Sequence, residues 1–353
     1  VRRFFLLTLT ILLLSTISLI ALSVMKGAPK YIPREIIYIL LGFLVWYIVT
    51  NFNFRILTNF AFLIYGVSIF LLVLVMVIGI AKNSSRRWID FFGIFTIQPS
   101  EIAKIAVIIV LSFISSVDWE GYKKFLLSTA LVLPVLVLIS LQPDMGSALV
   151  IAFIYFMFAA FTLHPKFSIA IALAAIASIP ILPKILLPYQ LERILIFFDP
   201  YRDPLGSGYN VLQSIIAVGS GTIFGKGISQ STMTKLNFVP VQYADFIFSA
   251  IGEIFGFIGA AVLVILLGVL LYYTAKAYAS TKNRFGKGLA IGIFAMFFFQ
   301  ILVNVGMSIG IMPVTGIPLP FVSYGGSSTI ANFICLGLIT NVIIYKDEIT
   351  MMP

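Results

Sequence analysis

The sequence predicts an all-α polytopic membrane protein with about ten spanning helices, and two observations carry that prediction. Of 353 residues, 61% are hydrophobic and 10% are charged, against roughly 25% charged in an ordinary soluble domain. A soluble chain of this length needs far more polar surface to cover its domains, so the apolar excess faces lipid. The apolar residues also gather in stretches of about 20, the length that crosses a roughly 30 Å hydrocarbon core.

The first stretch begins near Phe4, behind Arg2 and Arg3, and runs to about Val24 with no small-residue cleavage site, so it reads as a retained helix. The next begin near Glu35 and Leu57, and a polar outer segment from Lys82 to Pro99 follows. Ser100, Phe125, Gly146 and Phe167 open four more spans, and Phe246, Lys287 and Ser327 open the last three. Between them lies a long outer loop of about 188–245. The stretch 310–328 has three Pro, four Gly and no charge. Irregular backbone at membrane depth is tolerated only inside protein or along a cavity, so this stretch is expected to be a re-entrant or cavity-lining loop. The whole chain, 1–353, reads as a single integral membrane domain.

The formal charge of +10 fits nucleic acid, anionic headgroups or a phosphorylated ligand. In so apolar a chain no nucleic-acid role is read. Ten crossings place both termini on one side. Outside the two long outer segments, eleven basic residues lie on the terminal side and four on the other, so the termini are expected to be cytoplasmic. Seven basic residues then sit in the outer segments without a topological reason: Lys82, Arg86, Arg87, Arg193, Arg202, Lys226 and Lys235. Anionic headgroups and an anionic ligand explain them equally well. Cys335 is the only cysteine and His164 the only histidine. An intrachain disulfide and a cysteine or multi-histidine metal site are therefore excluded, and a Ser-His-Asp triad is disfavoured.

Carboxylates in or beside spans are functional candidates by default. Asp245, in Gln242-Tyr243-Ala244-Asp245-Phe246, stands where the long outer loop meets a span. It suits a helix N-cap and equally a general base at the membrane surface, where desolvation by apolar Phe246 and Phe248 raises its pKa and makes it a better proton acceptor. Glu253 lies about 80° around an ideal helix from it, so a two-carboxylate site is not indicated. Gly252, Gly256 and Ala260 form a small-residue stripe that reads as helix packing. Glu101 and Lys104, spaced i and i+3, share a face and suit either an ion pair or a ligand-binding lysine. Arg87 suits phosphate, and Trp88 suits an interfacial anchor. Asp144 is expected to cap the following helix. Gly219, Gly221, Gly225 and Gly227 lack the Lys-Ser/Thr of a phosphate loop and read as no nucleotide site.

In order, Arg87-Trp88-Ile89, Gln98-Pro99-Ser100-Glu101 with Lys104, Gln142-Pro143-Asp144, Arg193 with Phe198-Asp199-Pro200, Gly208-Tyr209, Asp245-Phe246-Ile247-Phe248 and the stretch 304–328 resemble the SEDS family. Its members are polytopic glycosyltransferases of bacterial cell-wall synthesis. The resemblance covers essentially the whole chain, and within the family it is nearer to the elongation branch than to the division branch. It implies a peptidoglycan polymerase that uses lipid II at the outer face of the bacterial cytoplasmic membrane, with a class B penicillin-binding protein as partner and Asp245 as the essential carboxylate. An inverting displacement then needs one base and cations for the departing diphosphate. Arg87, Lys104 and Arg193 are the first candidates for that role, followed by Arg202 and Lys226, with Trp88 and Glu101 also assigned to substrate binding. No cofactor is evident, no metal ligands are assigned, and use of a divalent cation stays open. Two departures stand out: this chain lacks the Glu and Thr that the family places just before the aspartate, and Thr96 replaces a frequent basic residue. The rival readings are a lipid II flippase, in which Asp245 only caps a helix, and a non-catalytic scaffold for the transpeptidase.

Overall fold

The computed structural model describes residues 4–82, 85–91, 95–178, 180, 184 and 186–346. Arg2 and Arg3 of the topological tally lie outside them. Helices α1 (Phe5–Val24), α2 (Ile32–Asn51) and α3 (Ile56–Ile78) lead into an antiparallel ribbon of β1 (Ile80–Lys82), β2 (Ser85–Phe91) and β3 (Phe95–Ile97). Then come α4 (Pro99–Ser116), α5 (Gly121–Leu141), α6 (Met145–Thr162) and α7 (Pro165–Ser178). The long outer loop is itself helical, with α8 (Pro188–Phe198), α9 (Tyr209–Ser220), α10 (Gly227–Gln230) and α11 (Thr232–Leu236). The chain closes with α12 (Ile247–Ser280), α13 (Arg284–Ser308) and α14 (Gly326–Ile344).

Nine helices among the described residues are long and apolar enough to cross a membrane, and each starts within a few residues of its expected position. The stretch expected from Phe167 differs. It forms α7, of 14 residues, which at 1.5 Å per residue reaches about 21 Å and falls short of the hydrocarbon core. The ribbon is the other departure. Its strands pair β1 with β2 and β2 with β3, opposing Ile89 to Ile97 and Asp90 to Thr96.

The chain divides into two compact units. The first comprises Val1–Ile39, Ser178–Leu270 and Phe298–Gly325. Here α12 is broken at Gly256, whose φ of 66° no helix allows. The backbone of the preceding loop hydrogen-bonds at the break: the N–H groups of Phe257 and Ile258 donate to the carbonyls of Thr222 and Ile223, and Lys226 N–H donates to Glu253 O. The glycines make this approach possible. A Cβ on Gly221 would meet Gly252 O at 2.0 Å, and one on Gly225 would meet Ile254 O at 2.2 Å. Gly252 packs on Val218 as a small residue should, whereas Gly256 interrupts the helix that the stripe was expected to continue.

The second unit comprises Leu40–Ala177, Leu271–Phe297 and Gly326–Pro353. Its centre is α4, started by Pro99 in its first turn and buried along 83% of its length. Outer helices α3 and α5 turn Phe60, Leu63, Phe70, Leu126, Leu133 and Leu141 outward. Exposed side chains of this size in rows are stable only against an apolar solvent. Pro134 lies inside α5, a placement that membrane helices tolerate when neighbours satisfy the freed carbonyl.

Candidate active site

In the first unit the chain reaches Asp245 through 237–246, a segment that Val239, Phe246 and Met307 pin into a buried apolar cluster with Met312 and Val314 packed against it. Asp245 itself is partly exposed at the start of α12. One amide fixes its backbone: Asn304 of α13 donates from Nδ2 to Asp245 O at 2.9 Å and to Ile317 O at 2.7 Å. The same side chain therefore ties the aspartate to the loop 309–325. That loop passes beside the carboxylate at Gly316, which has a φ of +71° and whose absent Cβ would stand 3.6 Å from Asp245 Oδ2. A glycine is required there on backbone grounds alone.

Arg193 of α8 braces the loop from another side, donating from Nη1 to Val314 O at 3.3 Å, and its guanidinium lies over the Tyr189 ring. A guanidinium has five N–H donors, so this bond leaves donors for an anion. Next to Asp245, Tyr243 packs with Tyr31 and Tyr324, at ring separations of 5.0 Å and 5.8 Å, and Tyr324 N–H donates to Tyr243 O at 3.0 Å. Burial, a hydrogen bond with Tyr31 and the nearby charge of Asp245 push the Tyr243 phenol up to about 12. Burial likewise pushes Tyr324 up to about 12. Both phenols stay neutral through the physiological range, and Tyr243 is the one that feels the charge of Asp245.

Glu253 is fully buried and its oxygens are occupied. They accept from Met233 N–H at 3.0 Å, Thr234 N–H at 2.8 Å and the Thr234 hydroxyl at 2.7 Å, and Lys226 Nζ lies 3.5 Å away. It anchors α11 and Lys226 and is not a second acid. Arg202 closes the turn Pro200–Arg202 and is exposed.

The second unit holds the remaining candidates. Asp144 caps α6 through Ser147 N–H at 3.2 Å, as its sequence context implies, and it does more. It also accepts from Gln98 Nε2 at 3.0 Å and Ser100 Oγ at 3.1 Å, and Arg87 Nη1 lies 3.4 Å from it. Ser327 joins this group to β3, accepting from Gln98 N–H at 3.1 Å and donating to Thr96 O at 2.9 Å. Arg87 keeps 30% of its side chain exposed, and Trp88, opposite Ile80 in the ribbon, is partly exposed. In the first two turns of α4, Glu101 and Lys104 form an ion pair of 2.7 Å with both side chains almost wholly buried. Removing either partner strands the other charge, at a cost of about 3–5 kcal/mol.

The structure thus ties Asp245 and Arg193 to the same loop, 309–325, and brings Arg87 to Asp144. Sequence reasoning passed over Asn304, Gly316 and the three tyrosines as site residues. The available signal for Asn304 was an uncharged amide between Val303 and Val305 in an otherwise apolar helix. Among the described residues no three of His, Cys, Asp and Glu come together as a metal-binding group.

The profile of the FtsW/RodA/SpoVE family, described as cell cycle proteins, matches residues 1–348. The chain is 34% identical over 343 residues to the peptidoglycan glycosyltransferase MrdB of Escherichia coli (strain K12), covering 95% of this chain and 92% of that one. It is 33% identical over 323 residues to stage V sporulation protein E of Bacillus subtilis (strain 168), covering 89% and 87%. Among solved structures it is similar to a chain of a peptidoglycan synthase complex described as coordinating polymerization and crosslinking, with a TM-score of 0.83 at 31% identity over 97% of this chain and 98% of that one. The crystal structure of the rod shape determining protein RodA of Thermus thermophilus gives a TM-score of 0.74 at 27% identity over 97% of both chains. Alike in sequence and in fold over nearly its whole length, the chain belongs to the FtsW/RodA/SpoVE family.

Proposed function

We propose that the chain is a peptidoglycan glycosyltransferase that polymerises lipid II into glycan strands at the outer face of the bacterial cytoplasmic membrane during cell elongation. The observation that carries this reading is the Asp245 carboxylate, held at the head of α12 by Asn304 and bordered by Gly316, in a chain whose relatives are named for that activity.

In this reading Asp245 accepts the proton of an acceptor sugar hydroxyl as its oxygen attacks the anomeric carbon of the donor. The new C–O bond forms as the bond to the diphosphate oxygen breaks, with inversion, and undecaprenyl diphosphate departs with the electron pair. Charge grows on that diphosphate, and fixed cations stabilise it most where water is excluded. Arg193, Arg87 and Lys104 are assigned to the diphosphate, and Arg202 and Lys226 to its approach, with Trp88 and Glu101 completing the substrate contacts. Lys104 enters this role already ion-paired with Glu101, so its contribution is shared between the pair. The partner is a class B penicillin-binding protein that supplies the transpeptidase. Support for that pairing comes from the similar chain in a complex described as coordinating polymerization and crosslinking.

The test is polymerisation of purified lipid II by wild type and Asp245→Asn. Loss of a general base lowers the rate by roughly 10²–10⁴-fold, and near-normal rate and product length would sink the assignment. Supplying lipid II only to the outer leaflet of sealed vesicles separates polymerisation from translocation, because polymer then forms without any flipping step.

A further inference from the structure

At the far end of α4 from Gln98 and Asp144, the second unit contains a cavity of about 620 Å³ that the reaction above does not use. It is lined by the end of α4 at Ser115, the turn Asp118-Trp119-Glu120, the first turn of α5 at Lys124, the end of α6 at Phe161, and Tyr278, Arg284 and Lys287. We propose that this cavity binds the phosphate of an anionic membrane lipid, with Lys124 and Lys287 as its cationic ligands.

The charges sort themselves. Arg284 is ion-paired with Asp118, and Glu120 with Lys123 at 3.2 Å. Lys124 and Lys287 are left outside these ion pairs: Lys124 Nζ donates to Ser115 O at 3.2 Å, with Asp118 and Arg284 acting on its charge from farther off, and Lys287 Nζ lies 5.7 Å from the centre of the Tyr278 ring. Among the described residues neither has a carboxylate within 4.0 Å. An ammonium has three donors, so Lys124 retains two. Two lysines converging on one polar cavity match the single negative charge and the oxygen acceptors of a phosphodiester.

The rim identifies a lipid as the source. Trp119 is 45% exposed and Phe161 54% exposed at the cavity edge, with Phe161 and Tyr278 packed edge to face. Aromatic rings of this kind at the ends of membrane-length helices sit at headgroup depth. Basic pockets between spanning helices at that depth are recognised sites for anionic headgroups. A free phosphate has no use for the apolar rim, whereas a lipid places its phosphate in the cavity and its first acyl carbons against the rings.

The proposal makes no use of the Asp245 chemistry. Its test is native mass spectrometry of the purified full chain with phosphatidylglycerol, with phosphatidylcholine and with inorganic phosphate, on wild type, a Lys124→Gln/Lys287→Gln double variant and a Lys124→Arg/Lys287→Arg double variant. Expected is retention of phosphatidylglycerol by wild type and by the arginine variant, and roughly thirtyfold weaker retention by the glutamine double variant, in line with about 1 kcal/mol for each of the two basic residues near a headgroup. Equal retention of phosphatidylcholine by wild type, or undiminished phosphatidylglycerol on the glutamine variant, would overturn it. Binding of inorganic phosphate without the lipid would also overturn it in favour of a soluble-anion site. The arginine variant reports whether substitution at these positions leaves the fold intact.

Discussion

Burying an amide donor in an apolar helix is costly unless its hydrogen bonds are made, and Asn304 Nδ2 makes two, to Asp245 O and to Ile317 O, while its Oδ1 is buried without a partner. Both acceptors are backbone carbonyls of irregular segments, and each of those segments borders the carboxylate. The side chain thus works as a staple between the aspartate and the loop that carries Gly316. Asn304→Ala leaves both carbonyls without this donor, each at a cost of about 1–3 kcal/mol, and frees the aspartate to drift from the loop. A misplacement of about 1 Å at a reacting group can cost roughly 10²-fold in rate. The expected outcome is a protein that still folds, with lowered thermal stability and a polymerisation rate down by that order at saturating lipid II. Near-wild-type turnover, measured alongside the melting curve, would reduce Asn304 to a packing residue. The sequence marked Asp245 because a carboxylate at a span boundary stands out one residue at a time. Asn304 and Gly316 act through contacts 59 and 71 residues away along the chain, and no local pattern reports such a pairing.

Element by element, legibility follows from how local the cause is. Membrane helices were legible to within a few residues because length and apolarity alone define them, and the irregular character of 309–325 was legible from its Pro and Gly. The ribbon of β1 to β3 was not, because strands of three and seven residues carry too little alternation to stand out beside helices of 20. The break in α12 was also hidden, since Gly256 fits a packing stripe and a left-handed turn equally well until the partner loop is seen. Two glycines of this same helix separate the causes. Gly256 has φ +66°, and its Cβ would lie 2.3 Å from Gly225 N, whereas Gly268 has nothing within 4 Å. Gly256→Ala must therefore break the loop contact or straighten the helix, and is expected to cost about 2 kcal/mol or more. Gly268→Ala removes only helix-breaking entropy and is expected to be neutral or to stabilise by up to about 1 kcal/mol. Thermal melting of the two variants in one detergent decides it: equal melting temperatures would mean that the break at Gly256 is dispensable.

For the molecule as a whole, sidedness depends on α7. The nine full-length helices among the described residues are an odd number of crossings, so termini on one side require the stretch that begins with α7 to supply a tenth. The distribution of basic residues favours that count, because ten crossings place eleven lysines and arginines on the terminal side against four in the short loops of the other side. The sequence itself supplies a clean assay. Its single cysteine, Cys335, is buried, so an impermeant maleimide meets little background. Cysteines introduced at Leu205 and Phe224, both highly exposed in the segment between α7 and α12, are expected to label in intact cells. Cysteines at Trp119 and Lys282, exposed at the turn after α4 and the turn before α13, are expected to label only after the membrane is opened. Protection at Leu205 together with labelling at Trp119 in intact cells would invert the topology. It would also turn the Asp245 site to the cytoplasm, away from the outer leaflet on which the proposed polymerisation takes place.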